Sequence, residues 1–254
     1  MKELLINGER YEVVSDLHTH TRYSHGRGSI EDNVKAAIAE GLETIGISDH
    51  GPGHIGFGVP RKKLVEMKAE ILRLRRIYDN IEILFGIEAN IIVPGGKLDI
   101  RPDEFDYFDF ICAGWHFGAV KGLSPKGVGN TFVNFTRNTY EKASRHQIKL
   151  NTDAVVNAVK AGGMKFLTHP GQRAPVDLLE VAAYCARSGT LLEINTSHMT
   201  LTPAVLKSME GEGARFIINS DAHSPARVGD FLPAEKLLCE SGIDLKNVEN
   251  LRRI

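Results

Sequence analysis

The feature that most constrains the fold is an alternation of short apolar runs with longer amphipathic ones. The apolar runs are Thr44 to Ser48, Ile81 to Ile87, Phe108 to Ala113, Lys165 to Thr168, Leu191 to Asn195 and Arg215 to Asn219, after a first that ends near Asp16 to His18. Runs this short, apolar on both faces, suit strands buried between helices. The stretches between them read as helices. One runs from an N-cap at Ser29 to about Glu40 with Gly41 as its stop, and a charged one from Pro60 to about Tyr78. Others are expected at about Phe132 to His146, Thr152 to Ala161, Val176 to Arg187, Pro203 to Met209, Pro233 to Glu240 and Leu245 to Leu251. Leu4 to Ile6, Asn7-Gly8 and Tyr11 to Val14 predict a hairpin leading into the first core strand. Strands joined by helical crossovers imply a parallel sheet, and about seven such units in 254 residues imply a TIM-like α/β barrel. With no repeat or linker to divide it, the chain reads as a single domain over 1–254, with 1–12 a hairpin extension and Val93 to Asp106 a loop on the barrel.

The totals exclude several functions. A net charge of -1 lacks the basic excess of a polyanion-gripping protein, so no stable nucleic-acid partner is expected. A small anionic substrate is still allowed, because bound metal supplies positive charge locally. Cys112, Cys185 and Cys239 have no metal-ligand spacing and read as reduced thiols. No apolar stretch is of membrane-span or signal-peptide length, which predicts a cytoplasmic protein with no membrane partner; a homo-oligomer is allowed.

The chemistry-bearing residues follow the strands. His18 and His20 end the first strand, His50 follows the second, Glu88 ends the third, His116 follows the fourth, His169 the fifth, and Asp221 and His223 the seventh. In a barrel of this type those ends converge on the face that carries active sites. His18/His20 and Asp221/His223 are i, i+2 pairs, which point to one side of an extended chain. One such pair is weak evidence. Two, with four further ligand-type residues at strand ends, specify a metal cluster of imidazoles and carboxylates suited to Zn, Mn or Fe. Asp16 and Asp49 stand beside these residues, either orienting a metal histidine or capping a loop.

The residues Asp16-Leu17-His18-Thr19-His20-Thr21 with Ser24-His25, then Ile47-Ser48-Asp49-His50-Gly51, Gly86-Ile87-Glu88-Ala89-Asn90, Ala113-Gly114-Trp115-His116, Thr168-His169-Pro170-Gly171 and Ser220-Asp221-Ala222-His223, resemble in order the motifs of the PHP (polymerase and histidinol phosphatase) family. The nearest subgroup is the stand-alone YcdX-like phosphatases. The resemblance implies a distorted TIM-like (β/α)7 barrel of PHP type and three divalent metal ions. It implies that His18, His20, Glu88 and Asp221 hold the first, that Glu88 bridges to a second held by His116 and His169, and that His25, His50 and His223 hold the third. The activity implied is hydrolysis of a small phosphate ester by a hydroxide between metals bridged by Glu88, with Glu88, Asp221 and His223 as catalytic residues. The alternatives are a histidinol-phosphate phosphatase, a PHP-type 3'-5' exonuclease and a non-catalytic metal-binding domain.

Outside this set, Arg173 and Arg227 lie shortly after His169 and His223 and are candidate forks for a substrate phosphate. His198 follows the sixth strand and is a candidate substrate contact. His54 and His146 read as solvated histidines, Trp115 as packing or as a stacking surface for substrate, and Arg73 to Arg76 as a solvated helix face with Glu66 and Glu70. Gly51 to Gly58 lacks the Lys and the strand-helix context of a phosphate loop.

Overall fold

The computed structural model of the chain describes residues 3–119 and 125–254. Its strands are β1 (Leu4–Ile6), β2 (Glu9–Val13), β3 (Ser15–Asp16), β4 (Thr44–Ile47), β5 (Glu82–Ile92), β6 (Lys97–Leu98), β7 (Phe110–Gly114), β8 (Phe166–Leu167), β9 (Leu191–Asn195), β10 (Phe216–Asn219) and β11 (Leu251–Arg253). Its helices are α1 (Ile30–Ala39), α2 (Arg61–Ile77), α3 (Pro125–Thr136), α4 (Arg145–Ala161), α5 (Leu178–Ser188), α6 (Pro203–Gly211) and α7 (Leu232–Ser241). Seven strands form a parallel sheet in the order β10-β9-β8-β7-β5-β4-β3, each beside its neighbour in sequence. β6 folds back antiparallel onto β5 inside the expected Val93 to Asp106 loop.

The sheet nearly closes into a barrel, and the seam between β3 and β10 is held by two asparagine side chains. Asn219 Oδ1 accepts from the Leu17 N–H (2.9 Å). Asn250 donates to the carbonyls of Ser15 (2.8 Å) and Ile218 (2.7 Å) and accepts from the Ile218 N–H (3.0 Å). Beyond the strand ends, His20 N–H donates to Ala222 O (2.8 Å) and Ala222 N–H to His18 O (3.2 Å). Asp16 reinforces this corner by accepting from the Ser220 hydroxyl (2.5 Å) and the N–H groups of Ser220 (3.1 Å) and Gly229 (3.0 Å).

The period of two along each strand sorts residues between two cores. Ile87, Ala89, Ile111, Ala113, Leu192, Ile194, Phe216 and Ile218 pack outward with the helices. Leu17, Phe110, Cys112, Phe166, Leu191 and Ile217 form a separate plug inside the barrel. The Phe110 ring fills space that side chains at Gly46 and Gly86 would take: a Cβ at Gly86 would lie 2.2 Å from it, and one at Gly46 2.8 Å. Above the plug the same alternation presents Glu88, Glu193 and Asn219 inward, all fully buried.

Two expected helices differ. The segment Leu245 to Leu251 holds only a single turn, Leu245–Asn247, then enters β11, which pairs antiparallel with β2 so that Leu251 faces Val13. The expected hairpin therefore belongs to a three-stranded sheet, β1-β2-β11, rather than simply extending the first barrel strand. The helix expected at Phe132 to His146 instead ends at Thr136, and α4 starts at an N-cap, Ser144, whose hydroxyl accepts from the Gln147 N–H. The start of α4 is masked in sequence because its buried face there is polar. Gln147 and Asn151 both donate to Asn134 Oδ1 on α3, at 2.5 and 2.9 Å. All three cysteines are free thiols, and His146 is exposed on α4.

Phe110→Ala should destabilise the protein by about 3–5 kcal/mol, since the glycines facing the ring cannot refill the cavity. Urea unfolding followed by circular dichroism would show it as a lowered midpoint; an unchanged midpoint would mean that the plug is not rigidly packed.

Candidate metal centre

The carboxyl end of the barrel gathers eight chemistry-bearing side chains from the ends of β3, β4, β5, β7, β8 and β10, and His25 joins from the loop before α1. Glu88 lies within β5, four residues before its end, so that it points inward with the strand still paired to β7. Its Oε1 is 3.3 Å from His18 Nε2, 3.2 Å from His116 Nε2 and 3.0 Å from His169 Nε2. Its Oε2 is 2.9 Å from His50 Nδ1 and 3.6 Å from His20 Nε2. Three overlapping groups have ligand atoms all within 4.8 Å of one another: His18, His20 and Asp221; His50, Glu88 and His116; and His20, His25, His50 and His223. His169 joins the second through Glu88 and through His116, whose Nε2 is 3.2 Å from its own. All nine residues singled out in the sequence thus meet in one place.

The strand-end geometry has a cost. His169 and Asp221 are non-glycine residues with positive φ, 28° and 51°, a strained conformation that turns their side chains into the barrel mouth.

Hydrogen bonds to the far side of the rings settle three tautomers. His18 Nδ1 is 2.7 Å from Glu193 Oε1, an acceptor, so Nδ1 carries the proton. His116 Nδ1 is 2.8 Å from Asn90 Oδ1, whose amide is oriented by donating from Nδ2 to Asp99 (2.5 Å). His223 Nδ1 is 2.9 Å from the carbonyl of Asp221. In the neutral ring each of these histidines then offers a bare Nε2 lone pair to the centre. Glu193 is fully satisfied, as Oε2 accepts from the His169 N–H (2.7 Å) and Asn195 (2.9 Å), and Oε1 from Asn219 (2.9 Å).

Sequence reasoning missed Glu193 and Asn90. The available signal was a carboxylate in the middle of an apolar strand, Leu-Leu-Glu-Ile-Asn. Asp16 and Asp49 hold backbone instead of imidazole: Asp49 accepts from the Thr21 N–H (2.8 Å), the Thr21 hydroxyl (2.6 Å) and the Ser24 hydroxyl.

Cations fit this cluster. His18 and His20 bring Nε2 atoms to 3.1 Å, a contact of two lone pairs or two N–H groups unless a proton or cation lies between them. The Nδ1 atoms of His20, His25 and His50 and Oε2 of Glu88 are buried without a hydrogen-bond partner, the close approach of His50 to Glu88 lacking hydrogen-bond geometry. Each such orphan costs about 1–3 kcal/mol. The charge balance is consistent. Burial opposes ionisation of Glu88 and Asp221, yet His116, His18 and His50 around the first and His18 and His20 beside the second hold both carboxyls well below the usual range. Burial likewise opposes charge on His18, but Asp221, Glu193 and Glu88 outweigh it and raise its pKa well above normal. His116 is lowered to about 4 and His25 to about 3, chiefly by burial, which keeps both in the neutral form a metal needs.

A cavity of about 430 Å³ opens over the cluster. Arg173 and His198 line it. Arg173 has φ of 55°, and among the described residues no carboxylate pairs with its guanidinium. His198 Nε2 is 3.6 Å from Asp221 Oδ2. Arg227 is not in the wall: its guanidinium pairs with Asp230 at 2.6 Å and donates to Ser197 Oγ at 3.4 Å. His54 is in the wall and buried, not solvated, with Nδ1 accepting from the N–H groups of Gly56 (3.2 Å) and Phe57 (3.0 Å). Trp115, weighed in the sequence as packing or as a stacking surface for substrate, is buried and also reaches the cavity.

The PHP domain family model matches residues 16–197. A protein of Shewanella sp. strain ANA-3 bearing the name "probable phosphatase" is 30% identical over 253 residues, covering 91% of this chain and 89% of its own. One of Shewanella sediminis, with the same name, is 29% identical over 236 residues, covering 89% and 85%. Among solved structures, the histidinol phosphate phosphatase of Lactococcus lactis, complexed with zinc, L-histidinol and phosphate, superposes with a TM-score of 0.61 at 20% identity, covering 91% of this chain and 95% of its own. A Listeria monocytogenes protein assigned as a histidinol phosphatase gives 0.63 at 16% identity, covering 85% and 97%. The chain belongs to the PHP domain family. No helix among its described residues is long and apolar enough to cross a membrane.

Because Glu193 fixes the His18 ring, Glu193→Gln should lower metal affinity about 10–100-fold while the protein stays folded. Metal content after dialysis against graded chelator would measure this, and wild-type retention would show that Glu193 serves the fold alone.

Proposed function

We propose that the chain is a metal-dependent hydrolase acting on a small phosphate ester, with the cluster around Glu88 as its centre. The observation that carries this reading is the convergence of nine imidazole and carboxylate side chains, several with bare or unsatisfied ligand atoms, beneath an open cavity. The family match and the names of the Shewanella relatives support it. In this reading the whole of 1–254 is one PHP domain with 1–12 as an appended hairpin. β10, Asp221 and His223 lie beyond the matched residues yet complete the barrel and the cluster.

His18, His20, Glu88 and Asp221 would hold one divalent ion, Glu88, His116 and His169 a second, and His25, His50 and His223 a third; zinc, manganese and iron(II) all suit these donors. Ions bound there supply a water acidified toward neutral pKa and positive charge for the phosphoryl oxygens. The chain's own part is positioning. Glu88 sets the spacing of the histidines around its two oxygens. Glu193, Asn90 and the Asp221 carbonyl hold His18, His116 and His223 with Nε2 aimed inward. Arg173 lines the cavity with no carboxylate partner among the described residues, and would fork the non-bridging oxygens. His198 stands where it could donate to the same phosphate, whereas the ion pair with Asp230 makes Arg227 the weaker of the two arginine candidates. Histidinol phosphate is the second reading, supported by the substrate named for the Lactococcus neighbour.

Protein loaded separately with zinc, manganese or iron should release phosphate from small monoesters, and chelation should abolish it. Glu88→Gln should lose both metal and turnover, and an active Glu88→Gln protein would refute the mechanism. Arg173→Ala should raise KM or lower kcat by about 10-fold or more, with Arg227→Ala much milder; the reverse order would exchange their roles.

A further inference from the structure

The wall of the cavity outside the cluster is aromatic and carries no anion. Phe57 lies face to face with His25 (centroids 4.4 Å, 21°) and His54 (5.0 Å, 24°). Phe117 packs at a tilt against Phe135 of α3 (centroids 4.2 Å, 31°). Both phenylalanines line the cavity, yet they remain 45% and 41% exposed, so each keeps apolar ring surface uncovered. Trp115 and Gln172 complete this side.

Among the described residues, the only carboxylates lining the cavity are Glu88 and Asp221, both committed to the cluster. Arg173, with no carboxylate partner among the described residues, adds positive charge to this side.

A cationic group on the alcohol would meet the guanidinium of Arg173 on a wall that, outside the cluster, has no carboxylate among the described residues. A flat uncharged ring would cover exposed aromatic surface, and aromatic pairs gain from offset or edge-to-face packing. Building on the phosphoesterase reading above, we propose that the site selects monoesters whose alcohol carries an uncharged aromatic ring, packed on the Phe57 and Phe117 side of the cavity, and disfavours esters of amino alcohols, histidinol phosphate included.

The test uses metal-loaded full-length protein and three primary alkyl monoesters with comparably poor leaving groups: 2-phenylethyl, 2-aminoethyl and histidinol phosphate. The phenylethyl ester should lead in kcat/KM by about tenfold or more, and Phe117→Ala should collapse that ratio mainly through KM. A binding readout is independent of turnover. Trp115 is the only tryptophan of the chain and lines the cavity, so its emission can be titrated with 2-phenylethylphosphonate and 2-aminoethylphosphonate. Tighter binding of the phenylethyl compound, weakened by Phe117→Ala, supports the proposal even if no ester is cleaved, the outcome that would sink the phosphoesterase reading alone. Cleavage led by an amino ester, equal binding of the two phosphonates, or a ratio indifferent to Phe117→Ala would overturn the aromatic preference and leave the hydrolase intact.

Discussion

A carboxylate buried to 0% exposure and ringed by five imidazoles is tenable only when positive charge accompanies it, and Glu88 is in that position. A lone buried anion costs several kcal/mol, while one shared among cations repays it. The surrounding features follow from this constraint. The histidines come from the strands flanking β5 and from across the barrel, so their side chains reach Glu88 only if the sheet curves almost to closure. The bonds that orient His18, His116 and His223 put ring protons on the outer nitrogens and leave the inner ones available.

The barrel supports this by changing character along its axis. At the amino end, inward positions hold Phe110, Phe166, Leu191 and Ile217, a buried apolar floor. At the carboxyl end, the same alternation delivers Glu88, Glu193, Asn195 and Asn219. On β9 the change takes place between Leu191 and Glu193, two residues apart on one face. The polar layer thus rests on close-packed apolar side chains, which limit how far its members can relax toward one another.

Much of this was legible in the sequence because strand ends are local events. An apolar run closing on His-x-His or Asp-x-His states both where a strand stops and what its end offers, and the barrel rule brings those ends together. What could not be read depends on partners distant in sequence. Glu193 looks like an oddity in strand β9 until His18, 175 residues away, is placed beside it. Asn90 is unremarkable until Asp99 and His116 flank it. The boundary of α4 was hidden because Gln147 and Asn151 are buried through bonds to Asn134, so that polar residues occupy its inner face. Leu251 pairs with Val13, and no local pattern announces a strand that completes a sheet begun at the other end of the sequence.

The seam has a consequence for how the molecule comes into being. β3 and β10 face each other across it, and the side chains that join them, Asn219 and Asn250, follow the first strand by some two hundred residues. On a ribosome, His18 and His20 therefore emerge long before Asp221, His223 and the residues that draw the two edges together. Until those residues are made, His18 lacks Glu193 and His20 lacks Asp221, the partners they meet in the folded barrel. Selection among metals can be exercised by the completed geometry only after most of the chain has been made.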